Sequence, residues 1–190
     1  MLNPATSNPI NQPGSKRQAS QMPTLADLIA RPEQKISFAR LILDELELHP
    51  SRHSGDSFER SHIEAFFFHF YGAVDAFLQE INVQYSCGLD LAHVSRRKLK
   101  EKLASLQIPA KEIDELDMIE RIPESYLALA KEMRHFVTHR GGLPMAHYFN
   151  GPTNLVHPVT RNEFAVDTIG LLRSWLHQLE TLLLGLRSWP

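Results

Sequence analysis

The sequence predicts an all-α protein, an up-and-down bundle of four to six helices, and three observations carry that expectation. Apolar residues recur at helical spacing in several separate stretches. No segment shows the sustained two-residue alternation of a half-buried strand. A chain of 190 residues that is 43% hydrophobic and 22% charged suits one globular domain with its own core.

Residues 1–22 are rich in Asn, Pro, Ser and Gln and hold no periodic apolar positions. Such a segment cannot bury enough surface to offset its ordering entropy. A disordered N-terminal arm is therefore expected, followed by a single helical domain over 23–190. Thr24 reads as an N-cap with Asp27 three residues on. Leu25, Leu28 and Ile29 begin an apolar stripe, and Pro32 reads as the first residue of the next helix. That helix carries Ile36, Ala39, Leu43 and Leu46 and stops at His49-Pro50. After a polar turn, a long helix runs from Ser57 through Ile63, Phe66, Phe67, Phe70, Val74, Phe77 and Ile81. Its middle, Ala65 to Val74, is apolar on nearly every side, so other helices should surround it. Gly72-Ala73 offers a place for a close neighbour, and Gly88 reads as the residue just past the helix end. His69, within this run, reads as a satisfied core histidine.

A shorter helix is expected after Ser95 with Leu99, Leu103 and Leu106 inward, and another over Ile113 to Ile122. Pro123 opens a stronger one, whose apolar face is Tyr126, Leu127, Ala130, Met133, Phe136 and Val137. Gly141-Gly142 ends it. Residues 143–162 contain Pro144, Gly151, Pro152 and Pro158 and show no period, which predicts a long loop of functional or mobile character. A final helix from about Phe164 to Leu186 carries Leu172, Trp175, Leu176, Leu179, Leu183 and Leu186.

Bulk properties exclude several classes. The net charge of −2 gives no general case for a nucleic-acid or membrane partner, so any such case must rest on a local patch. One cysteine, Cys87, excludes a disulfide framework and agrees with a reducing compartment. Residues 1–22 lack the apolar stretch of a signal peptide, and the greasiest run, Ala65 to Leu78, is too short for a membrane span and carries His69 and Asp75. A cytoplasmic protein without membrane contact is expected. No Gly-rich phosphate loop is present, since Gly141-Gly142 lacks a strand before it.

The one sharp chemical feature is the end of the helix that starts near Pro123: Arg134-His135-Phe136-Val137-Thr138-His139-Arg140-Gly141. With the aromatic-rich long helix before it, this stretch resembles the HEPN superfamily. That signature is an Arg, four to six residues, then a His, near a helix end in a small helical bundle. The resemblance implies a HEPN-like fold and a metal-independent endoribonuclease without a cofactor. It also implies a homodimer in which two copies of the motif share one cleft. Arg134 would grip the scissile phosphate, His139 would move protons, and His135, with Thr138, would support them. Toxin or anti-phage defence settings, and an antitoxin or other partner protein, belong to the same implication. One HEPN subfamily carries a Tyr two residues after the His, where a partner nucleotidyltransferase modifies it; here that position is Gly141, so this control is not expected.

The residue types suit the chemistry. RNA is cut without metal when its 2′-hydroxyl attacks the adjacent phosphate. The reaction needs a cation for the developing phosphorane charge and a group that transfers protons near neutral pH. Arginine is a permanent planar cation matched to phosphate, and imidazole titrates in that range. Five residues on a regular helix lie about 140° apart, so either the helix unwinds before Gly141 or the cleft is completed by a second subunit. A bland alternative pairs Arg134 with Glu120 or Asp117 and leaves His139 and Arg140 to favour the helix C-terminus. Asp75, a charge inside an apolar helix, needs a partner and is a candidate to orient Arg134. The basic stretch Arg96-Arg97-Lys98-Leu99-Lys100, with Arg140, is the candidate strip for phosphate contacts. His135 and His139 sit at the spacing of a shared cation site, but no third ligand has a defined spacing, although His147 and His157 follow; no metal is expected. Two readings stay open: a ribonuclease, and a non-catalytic HEPN-like module that binds RNA or a partner protein.

Overall fold

A computed structural model describes residues 25–49, 57–139, 142–147 and 153–187. The expected arm over 1–22, and Arg140 and Gly141, lie outside the described residues. Six α-helices make up most of the remainder: α1 (Leu25–Leu48), α2 (Ser57–Gln84), α3 (Arg96–Ser105), α4 (Lys111–Glu120), α5 (Tyr126–His139) and α6 (Thr168–Arg187). The all-α expectation holds. No helix among the described residues is long and apolar enough to cross a membrane.

Four helices form a closed ring of contacts, with α1 on α2, α2 on α5, α5 on α6, and α6 back on α1. Helices α1 and α2 run antiparallel, since Phe38 meets His69 while His49 meets Phe58. Helices α1 and α6 are antiparallel too: Arg40 pairs with Glu180, and Glu47 pairs with Arg173. Between them lies a core rich in phenylalanine. Phe66, Phe67 and Phe70 are wholly buried and Phe77 nearly so. Phe66 packs on Phe67 and Phe70, and Phe67 reaches Trp175 of α6. This is the enclosure that the unbroken apolar character of α2 demands. Gly72 fits the expectation of a close neighbour, because the stem of Lys35 from α1 lies against it.

The structure corrects several boundaries. Pro32 does not start a helix but lies inside α1. The apolar positions 25, 29, 32, 36, 39, 43 and 46 advance in steps of four and three straight through it, and burial of Pro32, Ile36, Ala39, Leu43 and Leu46 outweighs the hydrogen bond the proline removes. The residue that takes the left-handed conformation just past α2 is Ser86 (φ 50°), ahead of Gly88 (φ 69°). The Asn82 side chain secures this turn by exchanging two hydrogen bonds with the backbone of Leu89. Helix α5 begins three residues beyond Pro123, where the Ser125 hydroxyl accepts from the Ala128 amide. Helix α6 begins at Thr168 rather than Phe164, and Asp167 accepts from the Gly170 amide at 2.7 Å. Ser95 does cap α3, as its sequence position suggests.

The segment 143–162 is not a structureless loop. Met145–His147 (β1) and Thr153–Leu155 (β2) form an antiparallel pair with Ala146 opposite Asn154. Three-residue strands are too short to print an alternation in the sequence, which is why the pattern misses them. The hairpin is tied to the bundle by the buried Leu143 and Leu155. His157 fixes the turn that follows: its Nδ1 accepts from the amides of Val159 and Thr160, and its Nε2 faces Glu124.

His69 also departs from its reading as a satisfied core residue. It is only partly buried, and its Nδ1 has no partner among the described residues. Burial and the nearby Lys35 ammonium pull its pKa below the ordinary value.

At the far end of the ring, Arg187 of α6 holds the buried Glu80 of α2 with two hydrogen bonds, of 2.9 and 2.6 Å, and also contacts Glu33 of α1. Burial pushes the Glu80 carboxyl up to about 7, and the two-pronged guanidinium contact opposes this by favouring the carboxylate. With Arg187 in place, folded Glu80 keeps its proton to about pH 7, while the unfolded chain releases it near 4.5. The folded state binds the extra proton between those values, so the protein loses stability as pH rises through that window. Without Arg187 the buried carboxylate has no counter-charge, so the loss is larger in an Arg187→Ala variant. Urea unfolding should show it roughly 3 kcal/mol less stable than the parent at pH 8 and closer to it at pH 5; an equal deficit at both would count against a buried, pairing-dependent carboxylate.

Candidate functional site

Burial of α2 lapses along one stripe. Phe68 is 51% exposed, and Tyr71 and Asp75 are partly exposed, at steps of three and four residues that put them on one face. Helix α5 lays Arg134 over this stripe. The guanidinium carbon lies 5.3 Å from the centre of the Tyr71 ring and 5.8 Å from that of Phe68. Its Nη1 donates to Asp75 at 2.8 Å. Two aromatic faces and one carboxylate thus fix a permanent cation at the surface. The sequence expectation that Asp75 meets Arg134 matches this contact, and the alternative partners Glu120 and Asp117 are engaged elsewhere.

His135 and His139 follow one turn apart on the same helix. Both are exposed, with ring centres 4.8 Å apart and planes tilted by 44°. Helix α5 stays regular through His139, so it does not unwind before that residue. Thr138 turns its hydroxyl back to the carbonyls of Arg134 and His135, which commits it to the helix. Arg134, His135, Thr138 and His139 nonetheless line one open groove of about 590 Å³, together with Tyr71 and Lys131.

A layer of charge beneath the groove steadies it. The Tyr71 hydroxyl donates to Glu120 at 2.8 Å. Burial, reinforced by Glu120, pushes this phenol well above its ordinary range, so it stays a neutral donor. Burial of Glu120 disfavours its charge, but hydrogen bonds from Lys131 and Tyr71 and the charge of Arg96 hold its pKa below the usual carboxylate value. Lys131 pairs with Glu120 directly. Sequence reasoning missed Phe68, Tyr71 and Lys131. The 68-71-75 spacing of two aromatics and an acid was a legible signal, while the partner of Lys131 depends on how α4 packs.

The basic stretch of α3 divides, which corrects its reading as one phosphate-facing strip. Arg96 turns inward, with its side chain 14% exposed, and pairs with Asp117 and Glu120. Lys100 pairs with Asp114 and Asp117. Packing of α3 on α4 brings these carboxylates in, and the sequence gives no spacing for that. Arg97 and Lys98 remain on the outside, Arg97 bridged to Glu101 one turn on and Lys98 to the His93 carbonyl. His157, being buried and bonded through both ring nitrogens, is no neighbour of His139 in function. Arg96→Ala should cost about 2 kcal/mol in chemical denaturation, because it strips charged hydrogen bonds from shielded carboxylates. Arg97→Ala should cost less than about 0.5 kcal/mol, as an exposed pair does; equal losses would contradict this division.

The chain matches a family model described as a family of unknown function (DUF6586) over residues 22–189. No curated protein and no solved structure matches it. The matched span takes in the whole ring of helices, the α5 groove and the hairpin, and the chain belongs to the DUF6586 family.

Proposed function

We propose that this protein is a metal-independent endoribonuclease of HEPN type that cuts RNA in the groove beside α5. The observation that supports it best is the shared groove: a fixed Arg134 cation and two exposed imidazoles, His135 and His139, face one open space. A nucleotide phosphate entering there meets the guanidinium, whose planar donors suit the charge that builds on a phosphorane. His139 takes the proton of the attacking 2′-hydroxyl as the new oxygen–phosphorus bond forms. The bond to the 5′ oxygen breaks, and the imidazolium of His135 supplies that oxygen with its proton. The products are a 2′,3′-cyclic phosphate and a free 5′-hydroxyl. Asp75 acts by positioning Arg134.

In this reading the protein works in the cytoplasm as a homodimer, with two copies of the motif on one composite cleft. It acts as a toxin or a defence effector, checked by an antitoxin or another partner protein. Arg97, Lys98 and Arg140 would extend the phosphate contacts. The second reading, a non-catalytic module for RNA or a partner protein, draws on the pairing of Arg134 with Asp75, which satisfies the guanidinium without any substrate.

Cleavage of several RNAs with EDTA present decides between them. Wild type should cut, and Arg134→Ala and His139→Ala should each lower the rate by about 10²–10⁴-fold, with thermal unfolding shifted by no more than a few degrees. A clean wild type that cuts none of the RNAs would sink the enzyme and leave the module.

A further inference from the structure

The geometry of α5 points to a second use of its two imidazoles: we propose that His135 and His139 chelate one imidazole-seeking divalent cation of the Zn²⁺ class, and that this occupancy switches the groove off. The chelate stands on the residues alone; the switch rests on the ribonuclease reading above.

The two rings are one helical turn apart, with centres separated by 4.8 Å, a spacing that lets one nitrogen of each reach a common ion. Neither ring nitrogen is hydrogen-bonded among the described residues, and both rings are exposed, so a cation displaces only water. Other histidines are differently placed. His157 uses both nitrogens in the fold, His62 contacts the Phe58 carbonyl, and His93 contacts Asp90. Among the described residues no other two histidines share a helix face one turn apart.

The surrounding charge permits an incoming cation. Arg134 and Lys131, the fixed cations of the groove, are each already matched by a carboxylate, Asp75 and Glu120. Glu132 lies three residues before His135 and seven before His139, on the same face, and lines the same groove. It adds a negative charge nearby. No three ligating side chains converge among the described residues. The ion is therefore held by two imidazoles and keeps water in its remaining positions, as an accessible regulatory site does. Two nitrogen donors suit Zn²⁺, Cu²⁺ and Ni²⁺, whereas Mg²⁺ and Ca²⁺ require oxygen ligands.

The consequence for the groove is direct. Each ring–metal bond uses the lone pair that would otherwise accept a proton, and any proton on that nitrogen leaves to solvent. A groove so occupied keeps Arg134 but has no free base. Zn²⁺ would then inhibit a reaction that needs no metal, and a chelator would restore it.

The test uses the full chain, without a histidine tag, titrated with zinc chloride in a calorimeter. One equivalent should bind. His135→Ala and His139→Ala should each weaken binding by about 10²-fold, since the second imidazole gains from acting within the same molecule. His177→Ala, on the exposed face of α6, should leave binding unchanged, and magnesium chloride should give no heat. Zinc binding that survives both α5 substitutions overturns the chelate. Saturating Zn²⁺ should abolish RNA cleavage by wild type, and excess EDTA should return it; cleavage indifferent to bound Zn²⁺ overturns the switch. A wild type that cuts no RNA yet binds zinc through these two residues removes the ribonuclease reading and keeps the chelate.

Discussion

Helix α2 carries twelve buried residues among its 28, and their enclosure organises the molecule. Four of its phenylalanines, Phe66, Phe67, Phe70 and Phe77, are buried within twelve residues. Burying such a helix takes neighbours on several sides, and α1, α3 and α5 pack on it while α6 reaches it through Trp175. Each partner has its own apolar stripe, and the ring closes helix on helix, with Leu155 of β2 added at its edge. At a few kcal/mol for each large buried side chain, this cluster dominates the favourable side of folding.

The candidate site arises where that enclosure stops. Phe68, Tyr71 and Asp75 continue the helix but face the edge left open beside α5. An exposed aromatic next to a carboxylate is a ready seat for a guanidinium, and Arg134 occupies it. The same helix then carries two imidazoles outward over its last turn. The core thus sets the position of the cation, and helical periodicity sets the position of the imidazoles relative to it. Neither depends on a loop, which favours a fixed geometry.

Much of this was legible in the chain. The periodic stripes of α5 and α6 and the apolar run of α2 each name one helix and its buried side, and the stripe from Ile36 to Leu46 names the buried side of α1. The Arg134–Asp75 contact was legible as well, because a lone acid in an apolar helix must find a partner. What escaped were features decided by tertiary packing. Pro32 looked like a boundary since local chemistry disfavours it inside a helix, yet the stripe through it wins. Arg96 and Lys100 looked like surface charge, and only the docking of α4 turns them into internal pairs. Strands β1 and β2 were too short for any periodicity to register. The chelating potential of His135 and His139 was visible as a spacing, but whether the rings stood free was not.

The clasp between Arg187, Glu80 and Glu33 bears on the order in which the chain assembles. Glu80 is made more than a hundred residues before the guanidinium that neutralises it. Until α6 docks, its carboxylate has to stay hydrated or take up a proton, and that end of the α1–α2 hairpin cannot close dry. Arrival of the last helix therefore delivers the missing counter-charge as well as its apolar stripe, which makes the final docking step the one that commits the bundle. A nascent chain halted short of Arg187 would hold a loosened hairpin end, open to water and to chaperones.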